Sequence, residues 1–310
     1  MKILITGGAG YIGSVMCEVL LNDGHEITVV DKLLYGPNSL NHLFYNQKFN
    51  FIKSDVRDFQ NYQREIKKSD CIIPLAALVG APICDQNIEE SFITNEISVI
   101  NLFKKLSNDQ IVIMPTTNSG YGSGKKNQIF DENSKLNPIS RYALQKGIIE
   151  KKLMRRKSSI SLRLATVFGS SPRMRLDLLV NDFTHKAYKD KSIILFEKEY
   201  RRNFVHIRDV ARCFSHCLNN FDMMKKNIYN LGLSDSNLTK LELCKKIKKY
   251  VPDFVILSKN IKKDLDKRNY IVSNKKIELT GFKTQFSIDD GIIELLKLYK
   301  SFKNYENGNI

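Results

Sequence analysis

Thr117, Tyr142 and Lys146 are the residues whose types and spacing could do chemistry together. Taking a hydride from an alcohol carbon requires the hydroxyl proton to leave at the same time. A tyrosine with its ordinary pKa of about 10 is a poor base for that at neutral pH. A Tyr-x-x-x-Lys spacing on a helix places the ammonium one turn from the phenol on the same face, where its charge favours the phenolate. Thr117, 25 residues before Tyr142, ends an apolar run and can hydrogen-bond the same substrate oxygen. An amphipathic helix with a core tyrosine and a solvent lysine produces the same spacing, so the pair alone does not decide. The polar segment Pro115 to Gly122, closing a buried strand, favours catalysis, because polar groups at a sheet's carboxyl edge mark ligand crevices.

The N-terminus supplies a second constellation. The run Lys2-Ile3-Leu4-Ile5 leads into Thr6-Gly7-Gly8-Ala9-Gly10-Tyr11-Ile12-Gly13 and then a helical pattern. Glycine suits the tight strand-to-helix turn, the approach of backbone to a pyrophosphate and close helix packing. Val29-Val30-Asp31 ends the next strand, and Asp31 can accept from the adenosine ribose while repelling a 2′-phosphate, which points to NAD rather than NADP. Lys32 beside it works the other way, and capping of the following turn is the structural alternative for Asp31. Asp55-Val56 is placed to border the adenine, and Leu75-Ala76-Ala77 offers small side chains to a planar dinucleotide.

These sites need an alternating scaffold. Strands are expected at Lys2-Thr6, Glu26-Asp31, Phe49-Lys53, Cys71-Leu75, Ile111-Pro115 and Ile160-Leu164. Helical patterns lie between them at Ile12-Asp23, Phe59-Lys67, Ser91-Leu106 and Arg141-Arg155. Six strands with helical crossovers predict an α/β fold, a Rossmann-type doubly wound parallel sheet. The rhythm changes at Ser170-Ser171-Pro172, so a smaller, partly discontinuous α/β C-terminal lobe is expected. The division is 1–172 plus about 203–229 for the dinucleotide domain, with 173–202 and 230–310 for the substrate domain. Phe204-Val205-His206-Ile207 and the helix Asp209-Leu218 are expected to return to the sheet. The tail reads as a strand at Ile228-Leu231, a helix at Lys240-Tyr250, a strand at Phe254-Leu257, a helix at Ile288-Lys300 and a disordered end from Asn304.

Composition narrows the class. No apolar stretch approaches the roughly 18 residues that span a bilayer. Met1-Lys2 runs straight into the first strand pattern, so a cytoplasmic protein is expected. The six cysteines are scattered without Cys-x-x-Cys and read as reduced thiols. Cys213 and Cys217 share a helix face, but Phe214 and Leu218 around them read as core, and no metal is expected. The net charge of +16 raises the question of nucleic acid. The lysines are spread over polar helix faces, however, as in Lys151-Lys152 and Lys245-Lys246, which argues for solvated surface and against a nucleic-acid or membrane partner. A positive field still helps recruit a diphosphate.

With these motifs together, the chain resembles the extended short-chain dehydrogenase/reductases of the sugar-nucleotide epimerase and dehydratase group. The resemblance runs through Gly7 to Gly13, Asp31, Leu75-Ala76-Ala77, Thr117, Tyr142 and Lys146, Arg163 to Gly169, and Arg202 to Asp209. It implies NAD contacts from Gly7, Gly10, Tyr11, Ile12, Gly13, Asp31, Lys32, Asp55, Val56, Leu75, Ala76, Ala77, Thr116, Tyr142, Lys146, Ala165 and Val167. It implies nucleotide-sugar contacts from Val79, Gly80, Asn118, Ser119, Arg173, Arg175, Asp177, Leu178, Arg202 and Arg268. The four arginines are the diphosphate candidates, Arg202 foremost, since guanidinium forks suit phosphate oxygens. Dimerisation through the helices around Ser91-Leu106 and Arg141-Arg155 is also implied. His206, between apolar neighbours, reads as structural.

Two departures narrow the chemistry. The group's 4,6-dehydratases follow the catalytic threonine with Asp and Glu, where Asn118 and Ser119 stand here and cannot eliminate water. Thr166 replaces an asparagine common near the substrate. The segments Pro74 to Pro82, Asn118 to Gly122, Pro172 to Asp177 and Asp266-Lys267-Arg268 are similar to those of GDP-linked manno-heptose 4-dehydrogenases of capsule pathways. That resemblance implies oxidation at C4, with tightly held NAD recycled by a second oxidant such as 2-oxoglutarate. A C4 epimerase using the same residues is the alternative. A non-catalytic dinucleotide sensor or RNA-binding relative is a third reading, disfavoured by the presence of all three catalytic residues.

Overall fold

The computed structural model describes residues 1–125, 127–258 and 268–301. The expected disordered end and the residues Asp266 and Lys267 lie outside the described residues. Apolar, β-branched runs form β1 (Lys2–Thr6), β2 (Glu26–Asp31), β3 (Phe49–Lys53), β4 (Cys71–Pro74) and β5 (Ile111–Thr117). They are followed by β6 (Ile129–Phe130), β7 (Ser159–Leu164), β8 (Thr166–Phe168), β9 (Ser192–Leu195) and β10 (Arg201–His206). Last come β11 (Asn227–Leu231), β12 (Asn237–Thr239), β13 (Val255–Ser258) and β14 (Ile271–Val272). The helices are α1 (Tyr11–Asn22), α2 (Gln63–Lys68), α3 (Ala81–Gln86), α4 (Ile88–Phe92), α5 (Ser98–Lys105) and α6 (Arg141–Leu153). They continue with α7 (Leu179–Lys189), α8 (Ile207–Asn219), α9 (Phe221–Met224), α10 (Lys240–Tyr250), α11 (Lys275–Glu278) and α12 (Ile288–Ser301).

Among the described residues the main sheet has seven parallel strands in the order β11-β7-β5-β4-β1-β2-β3. Strand order reverses at β1, so the turn after it opens into the crevice where a doubly wound sheet holds its ligand. The seventh strand exceeds the expected six: the tail strand β11 pairs with β7, from Asn227 opposite Ile160 to Leu231 opposite Leu164. β10 does not return to this sheet. It runs parallel to β8 and antiparallel to β12 in a separate three-stranded sheet. Because β8 continues the chain beyond β7, it offers β10 a partner outside the main sheet, and only the following helix α8 comes back, against α1.

The helix expected at Ser91-Leu106 is interrupted by a π-helical turn, Ile93–Ile97, between α4 and α5. That wider turn accompanies the buried Asn95, which holds the Leu78 backbone at both ends. Its Oδ1 accepts from Leu78 N at 2.8 Å, while its Nδ2 donates to Leu78 O at 2.9 Å and to Gln145 Oε1 at 3.0 Å. Such turns concentrate at functional sites. Among the described residues no helix is long and apolar enough to cross a membrane.

One buried ion pair locks α6 to the sheet. Tyr142, Lys146 and Glu150 recur every fourth residue, so they form one stripe along α6. Glu150 and Arg163 of β7 have side chains only 5% exposed and meet at 2.6 Å. Thr116 and Ser161 donate to the same carboxylate at 3.0 and 2.9 Å, and Arg163 also donates to the Tyr121 hydroxyl at 2.9 Å.

Removing one member of such a pair strands its partner. Glu150→Ala is expected to cost about 3–5 kcal/mol in urea unfolding, whereas Glu150→Leu combined with Arg163→Met recovers most of it. Equal losses in both variants would show that the pair is not what holds α6.

Candidate active site

A cavity of about 1570 Å³ lies at the carboxyl edge of the sheet and is lined on its other side by residues such as Arg173, Phe183, Tyr200, Lys240 and Tyr270. Every residue expected to contact cofactor or substrate lines it, except Asn118. After Thr117 the chain enters a 3-10 turn, Asn118–Tyr121, in which successive side chains point about 120° apart. Ser119 therefore reaches the cavity. Asn118 turns into the interior, and its Nδ2 and Oδ1 meet no partner among the described residues.

At one end the glycine turn is moulded by its neighbours. Gly7 has a φ of +75°, and a Cβ there would lie 2.5 Å from Ala76 N. A Cβ on Gly13 would lie 2.5 Å from Gly8 O. α1 begins at Gly10 with no side-chain cap and no acidic residue in its first turn, leaving a helix N-terminus suited to an anion. Asp31 accepts from Ala9 N at 3.0 Å and Leu33 N at 2.8 Å, so it does cap the following turn. A carboxylate has lone pairs beyond those two for ribose hydroxyls, and burial pushes its pKa up. Lys32 is drawn away from it, toward Glu90 at 3.3 Å and Asp55 at 3.5 Å. The bare helix terminus, the close-packed glycines and the carboxylate fit a dinucleotide.

Arg57 had no place in the sequence reading and belongs to this end. It takes Asp55 at 2.7 Å and Glu90 at 2.9 Å. Against the burial that raises it, the Arg57 hydrogen bonds hold the Asp55 carboxyl below its usual range. Only the fold brings Glu90 to this pair.

The sheet edge and α6 build the reacting end. Ser140 caps α6 by accepting from Ala143 N at 3.3 Å, which starts the helix one residue before Tyr142. Lys146 Nζ lies 5.9 Å from the centre of the Tyr142 ring. Burial dominates both groups, pushing the phenol up to about 12 and the ammonium down to about 8. Cations from the second lobe pull the phenol back, Arg175 more than Arg268. Thr117 Oγ1 donates to Ser119 Oγ at 3.0 Å, whereas Thr116 faces the other way and belongs to the Glu150 cluster.

The four arginines all reach the cavity. Arg173 stacks on Tyr35 with its guanidinium 3.8 Å from the ring centre. Arg175 pairs with Asp177. Arg202, only 2% exposed, sits 5.6 Å from the Tyr270 ring centre, and Arg268 donates to Ser119 Oγ. Lys240, buried at the start of α10, lines the same wall and donates to Phe196 O at 3.0 Å; the sequence signalled it only as one of many lysines. His206 is structural, bonded to Glu294 at 2.6 Å and stacked on Phe286. Cys213 and Cys217 are buried in the core.

The model of a family described as "NAD dependent epimerase/dehydratase family" matches residues 3–232. A putative UDP-glucose 4-epimerase of Methanocaldococcus jannaschii is 29% identical over 245 residues, covering 74% of this chain and 76% of that one. The crystal structure of a Thermotoga maritima UDP-glucose 4-epimerase with UDP-glucose superposes with a TM-score of 0.82 at 25% identity, covering 97% and 99% of the two chains. A Thermus thermophilus UDP-glucose 4-epimerase in complex with NAD gives 0.81 at 22% identity, with the same coverage.

A lysine whose pKa is lower folded than unfolded is protonated in the unfolded chain across the window between the two values. Lys146 therefore contributes stability that rises with pH from about 8 toward its ordinary 10.5. Urea unfolding at pH 8 and pH 10 is expected to show a steeper rise for the wild type than for Lys146→Met; parallel behaviour would contradict the burial of a strained ammonium. Gly7→Ala, with a Cβ pressed on Ala76, is expected to abolish dinucleotide binding in calorimetry.

Proposed function

The chain belongs to the NAD dependent epimerase/dehydratase family, and from that premise we propose that it oxidises C4 of a nucleoside diphosphate sugar, GDP-manno-heptose, to the 4-ketone. The observation that carries the reading is one cavity joining the glycine turn, Thr117, Tyr142 and Lys146, and four arginines. Its volume of about 1570 Å³ exceeds the roughly 300–1,000 Å³ of a single small-ligand site and suits a dinucleotide together with a nucleotide sugar. NAD is the cofactor, and when bound it supplies the hydride acceptor.

The chain's own residues manage the proton and the geometry. Tyr142 takes the proton of the C4 hydroxyl, and Thr117 orients that oxygen. With a pKa of about 8, Lys146 keeps its charge at neutral pH, and with Arg175 and Arg268 it favours the phenolate that burial disfavours. Arg202 and Arg173 are the diphosphate contacts, held in place by Tyr270 and Tyr35. Asn118 and Ser119 lack the carboxyl groups that water elimination requires, so the reaction stops at the ketone. 2-Oxoglutarate is the second oxidant that restores the cofactor in place, itself reduced to the 2-hydroxy acid. The working unit is a dimer through α4, α5 and α6, whose surfaces expose Phe92 and Leu144.

C4 epimerisation is the second reading, favoured by the UDP-glucose 4-epimerases among the proteins this chain is similar to. It uses the same residues and requires the ketose to turn over before the hydride returns.

Incubation with GDP-manno-heptose, with and without 2-oxoglutarate, is followed by mass spectrometry, NMR and cofactor absorbance. Loss of two hydrogens at C4 that depends on the oxidant is the expected result. An equal-mass product inverted at C4 means an epimerase, and no reaction rejects this sugar. Tyr142→Phe is expected to lower turnover by about 1,000-fold or more while NAD still binds.

A further inference from the structure

Ser119 stands between a cation and the catalytic threonine. Its Oγ accepts from Arg268 Nη1 and from the Thr117 hydroxyl, the latter at 3.0 Å. Thr117 Oγ1 in turn accepts from Ser119 N at 3.1 Å. A serine hydroxyl has one proton and two lone pairs. With both lone pairs engaged, the remaining proton is the hydrogen-bonding capacity Ser119 has left, and Ser119 lines the cavity that Tyr142 and Lys146 also line.

Arg268 is delivered to this point by a stitched segment. Asn269 O accepts from Gly124 N at 2.9 Å, and Asn269 Oδ1 accepts from Arg201 N at 2.9 Å. β14 then pairs with β6, and the buried Arg202 donates to Arg268 O. Contacts at Arg268 itself and on its C-terminal side thus fix the arginine against Ser119. A charged donor shortens and strengthens its hydrogen bond and polarises the hydroxyl beyond it.

We propose that Ser119, which accepts the hydrogen bond from Thr117, donates one to the reacting oxygen of the substrate, so that Thr117 orients that oxygen through it, and that Arg268 is the positioning residue that turns the Ser119 proton toward it. The proposal rests on the oxidoreductase reading above. Ser119 keeps its proton throughout. As Tyr142 withdraws the substrate's hydroxyl proton, the oxygen gains negative charge and the Ser119 bond strengthens, so the contact contributes most at the transition state. Arg268 therefore works at the reacting end, and the diphosphate is left to Arg202 and Arg173. The charged and titratable groups around Tyr142 are Lys146 on its own helix, Arg175 and Arg268 from the second lobe, and the Cys84 thiol of α3.

The test compares Ser119→Ala, Arg268→Gln, the double variant and Arg268→Lys. Each of the first two is expected to lower kcat by about 100-fold with KM nearly unchanged. The double variant should be no worse than the poorer single one, because the two act as a unit, and Arg268→Lys should recover most of the loss. A rise in KM alone for Arg268→Gln would make it a phosphate ligand, and additive losses would break the relay; either overturns the proposal. A second measurement needs no substrate: NMR titration of ¹³C-labelled tyrosine, with Tyr142 assigned through Tyr142→Phe. Arg268→Gln should raise the Tyr142 pKa by about one unit while Arg268→Lys leaves it in place. An unchanged titration overturns the placement of Arg268. If the wild type turns over no nucleotide sugar, the functional reading fails and this titration decides the placement by itself.

Discussion

The pairing of Glu150 with Arg163 inside the protein is the interaction on which the site depends. Helix α6 carries Tyr142 and Lys146, and a helix alone fixes only their mutual spacing. What sets their distance from the sheet edge is the carboxylate one turn beyond Lys146, held by Arg163, Thr116 and Ser161. Thr116 and Thr117 are neighbours on one strand, so their side chains face opposite sides. One joins this anchor and the other faces the cavity. The strand that presents Thr117 to the cavity is thereby the strand that grips helix α6.

The same economy of position appears across the cavity. Arg173, Arg175, Arg202 and Arg268 line the cavity, and each has an aromatic ring or a hydrogen-bond partner that holds it. Orienting a guanidinium before a ligand arrives reduces the ordering that binding would otherwise require. The electrostatics at the reacting end follow from burial. Burial pushes the Tyr142 phenol up to about 12, and the Arg175 and Arg268 cations pull it back.

Much of this architecture was legible in the chain. The glycine turn, Asp31 and the strand endings each carry a local signal, because a tight turn or a buried parallel strand constrains the residues that can form it. Asn118 was misplaced because spacing along the chain cannot show which way a side chain turns in a 3-10 turn. β10 was misplaced for a related reason: its apolar pattern demands a buried strand but does not say which strand will be its neighbour. Arg57 and Lys240 carried no signal, since a charge gains its meaning from partners such as Glu90 and Phe196 O that lie 33 and 44 residues away.

By itself the sequence determined the alternating α/β scaffold, the dinucleotide turn and the Tyr-x-x-x-Lys pair with its threonine, since each is set by residues close together in the chain and by the backbone geometry they favour. Only the tertiary structure decided that β11 completes the main sheet, that a buried carboxylate anchors α6, and that Arg268 meets Ser119 from 149 residues away. Those contacts depend on burial and on partners distant in sequence, and neither exists until the chain has folded.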